Sequence, residues 1–212
     1  GAVATKTYVD DVFSTFLYKG NGTTTGDTQT INNGIDLAGE GGMVWTKSRD
    51  SGSYWHTIVD TVRGTNKTVY PNSNFQGETL TNVLNSFNNN GFTAAYNSSY
   101  SGVFTNKNND NVASWTFRKS PAFTICEWTG DGASSKTISH SLGSIPGLIM
   151  VKRTDSTGSW VVYHRSLGND KILYLNDTAA AGTNMDQFDK TDPTASSFTV
   201  EHTGSGGSDI NV

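Results

Sequence analysis

Reactive side chains are scattered along this chain of 212 residues and do not form a catalytic pattern. Each histidine stands alone, without a second histidine at helical spacing or a cysteine nearby, so we expect no metal site at any of them. They are His56, His140, His164 and His202. The chain also lacks a nucleophile elbow, a P-loop and a dinucleotide-binding fingerprint. We therefore expect no catalytic residue, no cofactor and no bound metal.

Carboxylates suggest turns more strongly than glycoside hydrolysis, which needs two carboxyl groups facing each other across a sugar cleft. The first half of the chain offers Asp36, Glu40, Asp50 and Asp60, and the second half keeps only Asp155, at the place of Asp50. Both of these aspartates sit between predicted strands, where Asp commonly forms turns. The acidic residues 186–192 (DQFDKTD) lack the EF-hand spacing, so they do not predict a calcium site.

Four aromatic residues are the candidates for ligand contact, because an exposed aromatic ring can stack on a sugar. They lie in or beside predicted turns and are Tyr54, Trp55, Trp160 and Tyr163. Both indoles follow a Gly-Ser pair, and such repetition favours packing. Two interpretations remain open: the indoles are core or inter-unit residues, or at least one of them contacts a glycan.

Composition predicts an all-β fold with minimal helix. Hydrophobic residues are 34% and charged residues 16% of the chain, so Gly, Ser, Thr and Asn supply turns and polar strand faces. The 11% aromatic content argues against disorder.

Charge and hydropathy exclude several classes of partner. The net charge of -4 gives no basic field for phosphate backbones or anionic lipids, so we expect no nucleic acid partner. No apolar run is long enough to cross a bilayer and no signal peptide is recognisable, so we expect no membrane partner. The single cysteine, Cys126, excludes an intrachain disulfide, and we interpret it as a small core residue.

An internal repeat organises the chain. Residues 13–22 (FSTFLYKGNG) match residues 123–132 (FTICEWTGDG), 110 residues further on (123 − 13 = 110). Three further pairs of blocks keep the same order: 43–51 with 148–156, 67–72 with 171–176, and 91–93 with 197–199. Small changes of offset are what loop insertions produce between strands of fixed length. We therefore expect a linker at 1–12 and two homologous units at 13–120 and 121–212.

The blocks predict individual strands. Phe16 and Tyr18 share one strand face, as do Cys126 and Trp128 in the second unit. Met43–Trp45 (MVW) and 148–151 (LIMV) are apolar on both faces, which predicts strands central in their sheets. The glycine-rich segments 20–22 and 130–132 are expected to close hairpins. The best helical candidate is a short turn at 80–87.

The last strand of the first unit is predicted at residues 111–117 (NVASWTF), with Val112, Ser114 and Thr116 on one face. The match places Asn211 and Val212 where the corresponding strand of the second unit would begin. A sandwich without its closing strand exposes an edge. We therefore expect the chain to be a fragment of a longer product or to receive this strand from elsewhere.

Several blocks resemble a family of virion structural proteins from marine phages, in which such units recur in tandem within tail-fibre-like proteins. They are residues 7–15 (TYVDDVFST), 18–22 (YKGNG), 33–37 (NGIDL), 41–47 (GGMVWTK), 60–64 (DTVRG), 160–164 (WVVYH) and 173–176 (LYLN). The opening 4–10 (ATKTYVD) resembles a segment that joins modules in phage tail fibres.

The resemblance implies a virion component with two tandem β-sandwich units of jelly-roll or lectin type and no recognised catalytic residues. As partners we expect other copies of the chain, in a trimer or another symmetric assembly, other virion proteins, and possibly a host cell-surface glycan. A tail-fibre or appendage module for host adsorption is the first hypothesis. The alternatives are a glycan- or receptor-binding module, a capsid decoration protein, and a free binding domain or enzyme.

Overall fold

The computed structural model describes residues 7–183, 185–202 and 209–211. Strands make up 36% of the chain and helices 4%, in several antiparallel sheets. The predicted all-β class is therefore confirmed. Within the described ranges, no helix has the length and apolar character needed to cross a bilayer. Residues 4–6 of the predicted joining segment lie outside these ranges.

Two short helices and fifteen strands follow one another within the described residues. They are α1 (Val9–Val12), β1 (Phe13–Lys19), β2 (Thr28–Asn32), α2 (Leu37–Glu40), β3 (Gly42–Ser48), β4 (Thr57–Asp60), β5 (Lys67–Thr68), β6 (Glu78–Thr79), β7 (Leu84–Asn88), β8 (Gly91–Ala95), β9 (Asn111–Arg118), β10 (Lys136–Ser139), β11 (Leu148–Val151), β12 (Val161–His164), β13 (Lys171–Tyr174), β14 (Gly182–Thr183) and β15 (Ser197–Val200).

The chain divides into two compact units. Unit 1 contains the chain up to Thr68 together with Thr79–Phe123, and unit 2 contains Val69–Glu78 together with the chain from Thr124 onward. The division expected from the sequence places 69–78 in the first unit, whereas the structure places this segment in unit 2. Its position in unit 2 has a local cause, because the buried Tyr70 accepts a hydrogen bond of 2.8 Å from the Trp160 indole through its backbone carbonyl.

Unit 1 contains a four-stranded sheet in the order β1-β9-β3-β4 and a three-stranded sheet in the order β2-β8-β7. The predicted strand at 111–117 is confirmed as β9. Val112, Ser114 and Thr116 are fully buried on its inner face, because small side chains fit between two paired neighbours. The prediction that β3 is central is also confirmed, since it pairs with β9 on one edge and β4 on the other.

Contacts through the interior of unit 1 connect its two larger sheets. The ring of Tyr18 on β1 meets Phe92 on β8 edge to face, with ring centroids 6.3 Å apart. Asn33, which follows β2, donates a hydrogen bond of 2.8 Å from Nδ2 to Oγ1 of Thr116 on β9. The core of unit 1 therefore lies under both sheets.

Unit 2 contains a two-stranded sheet, β10-β15, and a four-stranded sheet in the order β11-β12-β13-β14. Side chains from both sheets form one buried apolar cluster, and burial of this kind is the main stabilising contribution to a small domain. Its members are Ile138, Val151, Val161, Tyr163, Ile172, Phe188, Phe198, Val200 and Ile210. Cys126 is partly buried and packs against the cluster, as expected of a small core residue.

A buried asparagine ties the loop after the first block of each unit. In unit 1 the Gly22 amide donates to the Asn106 carbonyl at 2.8 Å, and in unit 2 the Gly132 amide donates to the Asn211 carbonyl at 3.1 Å. The amide preceding each glycine donates to the side-chain Oδ1 of the same asparagine, at 3.1 and 3.4 Å. Both asparagines have no exposed surface. We call this arrangement the asparagine tie.

An aromatic pair recurs beside each tie. Tyr18 meets Phe92 at an interplanar angle of 68°, and Trp128 meets Phe198 with centroids 5.9 Å apart at 73°. All four residues belong to matched sequence blocks, namely 13–22 with 123–132 and 91–93 with 197–199. The match between the blocks at 13–22 and 123–132 therefore extends to the contacts that their side chains make.

A lysine recurs near the end of β3 in unit 1 and directly after β11 in unit 2. Lys47 donates 2.7 Å hydrogen bonds from Nζ to the carbonyls of Ser48 and Ser51, and Lys152 donates one of the same length to Gly158. Burial lowers the pKa of both ammonium groups, that of Lys152 to about 8. In both units the lysine closes the loop that precedes the next strand.

The expected hairpins at 20–22 and 130–132 are wrong. β1 pairs with β9 and not with β2, while Gly20 and Gly22 lie against the backbone of residues 106–107. A Cβ atom at Gly20 would lie 2.2 Å from the carbonyl oxygen of Lys107. Gly20 and Gly22 therefore permit the close approach of another backbone segment. Glycine serves this purpose as well as a turn with positive φ, and the residue type alone does not distinguish the two.

The helical candidate at 80–87 is also wrong, because Leu84–Asn88 is strand β7, paired with β8 around a bulge. Leu80, Val83 and Leu84 are all buried, so their spacing imitates a helical stripe. Tertiary pairing with β8 decides the outcome. Helices α1 and α2 are each one turn long, and Asp36 caps α2 by accepting the Gly39 amide at 2.8 Å.

Two predictions for the second unit do not hold. β11 is the first strand of its sheet and not a central one, and residues 124–130 form no strand within the described chain. Asn211 occupies the place of Asn106 and not that of Asn111, because it makes the asparagine tie; Val212 lies outside the described residues. The sequence match aligned Asn211 with Asn111 because each of them is followed by a valine.

The asparagine tie of unit 2 predicts a loss of stability in acid. The Lys136 ammonium, followed by the Ala133 amide and the Asn211 side chain, lowers the pKa of Asp131 to about 2. A carboxylate with a depressed folded pKa stabilises the fold fully above its ordinary value of 3.8, and that contribution disappears as the pH falls to about 2. We expect the D131N variant to lose less stability than the wild type between these two pH values. Parallel pH curves of unit 2 unfolding would contradict this.

Candidate functional site

Two of the four predicted ligand-contacting aromatics lie in the core of unit 2. Trp160 is 6% exposed, and its Nε1 donates to the Tyr70 carbonyl. Tyr163 is 2% exposed and packs against Phe188 with centroids 5.6 Å apart. The packing interpretation therefore applies to both, and neither presents a ring face to a ligand.

The two indoles are not equivalent in register. Asp60 on β4 pairs with Met43, and His164 on β12 pairs with Leu148 in the matching ladder. Asp60 and His164 are therefore equivalent positions, and four residues before them Trp160 is equivalent to His56, not to Trp55. Because a shift of one residue changes the face of an extended chain, the two indoles meet different surroundings.

Tyr54 belongs to a partly exposed aromatic cluster in unit 1, which also contains Tyr96, Phe104 and Lys107. The ring of Phe104 meets Tyr54 edge to face at 4.8 Å and Tyr96 at 6.2 Å. We call this group the Tyr54 cluster. Trp55 is fixed next to it, since its amide donates to the Gly102 carbonyl at 2.8 Å.

Lys107 supplies the charge of the Tyr54 cluster. Its Nζ lies 4.8 Å from the ring centre of Phe104 and 5.1 Å from that of Tyr54, and it donates to the Tyr54 hydroxyl at 2.9 Å. The hydroxyl acceptor, more than any other neighbour, raises the pKa of this ammonium. The cluster therefore combines aromatic faces with a cation that remains protonated at neutral pH.

Such a surface can bind a sugar ring by stacking and a carboxylate or hydroxyl group by hydrogen bonding. Sequence reasoning found Tyr54 and Trp55 but missed Phe104 and Lys107. The signal was the short run Phe104–Lys107 (FTNK), which lies between predicted strands and carries an aromatic and a cation three positions apart. Only the fold brings this run to residue 54.

A second aromatic group lies on the outer face of the four-stranded sheet of unit 1. Trp45 on β3 meets Trp115 on β9 with centroids 5.8 Å apart, and its Nε1 donates to Nδ1 of His56 at 3.0 Å. Phe13 and Phe117 pack together further along the same face. The adjoining Leu17 on β1 is 59% exposed. This sheet face therefore presents apolar surface to its surroundings.

The carboxylates singled out in the sequence hold loops. Asp50 accepts the Asn111 amide at 2.7 Å and its side-chain Nδ2 at 3.0 Å, which lowers the pKa of the carboxyl. Asp155 accepts two hydrogen bonds from Arg153 at 2.8 and 2.9 Å. Asp50 therefore connects its loop to the start of β9, whereas Asp155 pairs with a side chain of its own loop. Among the described residues, no three His, Cys, Asp or Glu side chains are grouped to hold a metal ion.

A family model described as "Domain of unknown function (DUF7483)" matches residues 9–211, and the chain belongs to this family. No curated protein matches the chain. No solved structure matches it either.

Proposed function

We propose that this DUF7483 chain is a non-enzymatic structural protein of a bacteriophage particle, in which two homologous β-sandwich units form part of a tail fibre or another appendage. The observation that carries the proposal is the recurrence, in both units, of the asparagine tie, the adjoining aromatic pair and the loop-closing lysine. Three of the residues that make these contacts, Tyr18, Gly22 and Lys47, belong to the sequence blocks that resemble tandem arrays of phage virion proteins.

The kind of residue that recurs favours a structural role. The repeated groups bind backbone carbonyls and amides or pack in the core. In contrast, the ionisable side chain differs at the ends of two matching strands, where β4 ends in Asp60 and β12 ends in His164. A duplicated active site would be expected to keep its reactive groups and vary its supports. Here the supports are kept, as in modules that project and connect.

The sandwich assignment draws on the cores. In unit 1, Tyr18–Phe92 and Asn33–Thr116 contacts connect the two larger sheets. In unit 2, Phe198 from the two-stranded sheet and Val161 from the four-stranded sheet share one apolar cluster. Two sheets that share a buried core in this way are the general plan of a β-sandwich.

Purified phage particles provide the test of the particle assignment. We expect peptides of this chain in the particles by mass spectrometry, gold-labelled antibodies on a tail appendage, and a trimer or another symmetric assembly by light scattering. Capsid labelling would favour a decoration protein instead. A chain absent from particles, or one that remains monomeric at every concentration, would contradict the proposal.

Glycan binding by the Tyr54 cluster is a second candidate, favoured by the partly exposed rings beside the Lys107 cation. On an array of host polysaccharides we expect Y54A and W55A to reduce binding at least tenfold, because each removes a stacking face. V62A is the matched control, since Val62 is an exposed apolar residue outside the cluster. Absence of binding by the wild type, or equal binding by all variants, would remove this candidate.

A further inference from the structure

The ammonium of Lys107 has no contact ion pair within the described residues, although the chain carries a net charge of -4. Its one hydrogen bond goes to the Tyr54 hydroxyl. Asp110 interacts with it electrostatically, but this carboxylate is 7% exposed and accepts the Ser48 hydroxyl at 3.0 Å. An ammonium carries three N–H donors. Those of Lys107 that do not point at Tyr54 therefore remain for an acceptor from outside the chain.

This ammonium lies at the rim of the Tyr54 ring. Its Nζ is 2.9 Å from the hydroxyl oxygen but 5.1 Å from the ring centre. Because the hydroxyl extends from the edge of the ring, these two distances place the charge beside the ring and not over its face. The ring of Phe104 meets Tyr54 at an interplanar angle of 77°. The two rings therefore form a corner that has the cation at its edge.

We propose that the Tyr54 cluster binds an acidic saccharide, with the sugar ring stacked on Tyr54 and a carboxylate of the sugar hydrogen-bonded to Lys107. This inference rests on glycan binding, the second candidate function. The carboxylate of a uronic acid projects from the periphery of the sugar ring, so a sugar stacked on Tyr54 brings it to the rim where the ammonium lies. Stacking supplies the apolar contact, and the charge-assisted hydrogen bond selects the acidic sugar.

The surroundings of Lys107 favour this ligand over a phosphate group or an acidic peptide strand. Phosphate sites combine charge with several backbone amides, and peptide strands pair with a row of them. The amides that follow Lys107 are already engaged, since those of Asn108 and Asn109 donate to the carbonyls of Gly22 and Gly20 at 2.9 Å. One cation beside aromatic rings is what remains, and it matches one carboxylate on an apolar ring face.

Titration of the full chain with defined polymers tests the chemical class. The acidic polymers are polygalacturonate, alginate and hyaluronate, each compared with the same polymer after reduction of its carboxyl groups to alcohols. We expect at least one acidic polymer to bind about tenfold or more tightly than its reduced form, because reduction removes a charge-assisted hydrogen bond. Equal affinity for the two forms, or no binding of any acidic polymer, would overturn the proposal.

Two further polymers separate the carboxylate from its carrier. Poly-glutamate has carboxylates without a sugar ring, and dextran sulfate has sugar rings with sulfate groups. We expect both to bind about tenfold more weakly than the preferred uronate polymer, since each lacks one half of the contact. Affinity for either polymer equal to that for the uronate polymer would contradict the assignment.

Charge variants locate the contact. We expect K107Q to weaken uronate binding by about tenfold or more and K107R by less than about threefold, because arginine keeps the charge. K119Q is the matched control, since Lys119 is exposed just beyond the far end of β9 and its replacement changes the net charge equally. Equal losses for K107Q and K119Q would overturn the proposal.

Chemical-shift mapping of the wild type with trigalacturonate gives a measurement that does not depend on the folding of any variant. We expect saturable shifts of the amide signals at 52–55 and 104–108. Shifts confined to other segments would place the ligand elsewhere and remove the proposal.

The outcomes separate this inference from the proposed functions. Neutral polysaccharides that bind as tightly as the uronate polymers, with binding lost in Y54A, would leave glycan binding standing and remove the acidic ligand. Absence of binding by every polysaccharide would remove both. Detection of the chain in phage particles tests the structural role independently of either result.

Discussion

Replacement of Phe198 with alanine will lower the free energy of unfolding of unit 2 by about 3 to 5 kcal/mol, the usual cost of removing a buried aromatic ring. Phe198 is 7% exposed, meets Trp128 and belongs to the apolar cluster of unit 2. Its loss removes buried area and an aromatic pair and leaves a cavity between the two sheets. Amide exchange within β15 and β12 under denaturant gives the measurement.

The matched variant is F92A in unit 1, where the fully buried Phe92 meets Tyr18 in the same geometry. We expect a loss of similar size, read from the amides of β8 and β9. F198L is the milder control, because leucine refills much of the space. A loss below 1 kcal/mol for either alanine variant would show that the pair does not hold its unit together.

The second large effect is expected at Asp60, where D60A will destabilise unit 1 by about 3 to 5 kcal/mol. Asp60 is 3% exposed, and its carboxylate accepts the Val62 and Arg63 amides at 3.0 and 2.9 Å and forms an ion pair with the Arg63 guanidinium. Removal of the carboxylate leaves these donors without their acceptor in a buried turn. Equilibrium denaturation measures the loss.

Two controls isolate the cause. D60N keeps an acceptor for the amides and is expected to cost less than D60A. H164A changes the counterpart in unit 2, where the exposed His164 accepts the Ser166 amide through Nδ1 at 3.2 Å, so we expect a loss of about 1 kcal/mol or less. Equal losses for D60A and H164A would mean that burial of the ion pair contributes nothing.

Sequence reasoning found those elements whose residues alternate and recur. The strand at 111–117 followed from its period of two, and the central position of β3 followed from apolar residues on both faces. The matched blocks at 13–22 and 123–132 each end in a glycine whose amide donates to a buried asparagine, although the sequence predicted hairpins there. Local pattern was enough in these cases because tertiary contacts reinforce it.

Other features depend on contacts far along the chain. Gly20 has the residue type of a turn, but it lies against the backbone of Lys107, and the apolar spacing at 80–87 is typical of a helix, but residues 84–88 pair with β8. The burial of Trp160 depends on Tyr70, which lies 90 residues away in the sequence. Because these contacts join residues far apart in the sequence, no local sequence pattern predicts them.

The sequence alone identified only part of the candidate site. Tyr54 and Trp55 were identified from their residue type, but a repeated Gly-Ser pair suggested that Trp160 was their equal, and the ladder register shows that it is not. Lys107 was missed because a single lysine carries no signal until Phe104 and Tyr54 are placed beneath it.

Amide hydrogen exchange of the native chain tests most directly whether the two units share one framework. We predict strong protection along β1, whose residues pair with β9, and at both Gly22 and Gly132, whose amides donate to the carbonyl of a buried asparagine. A Gly132 amide that exchanges freely while the Gly22 amide is protected would contradict this account.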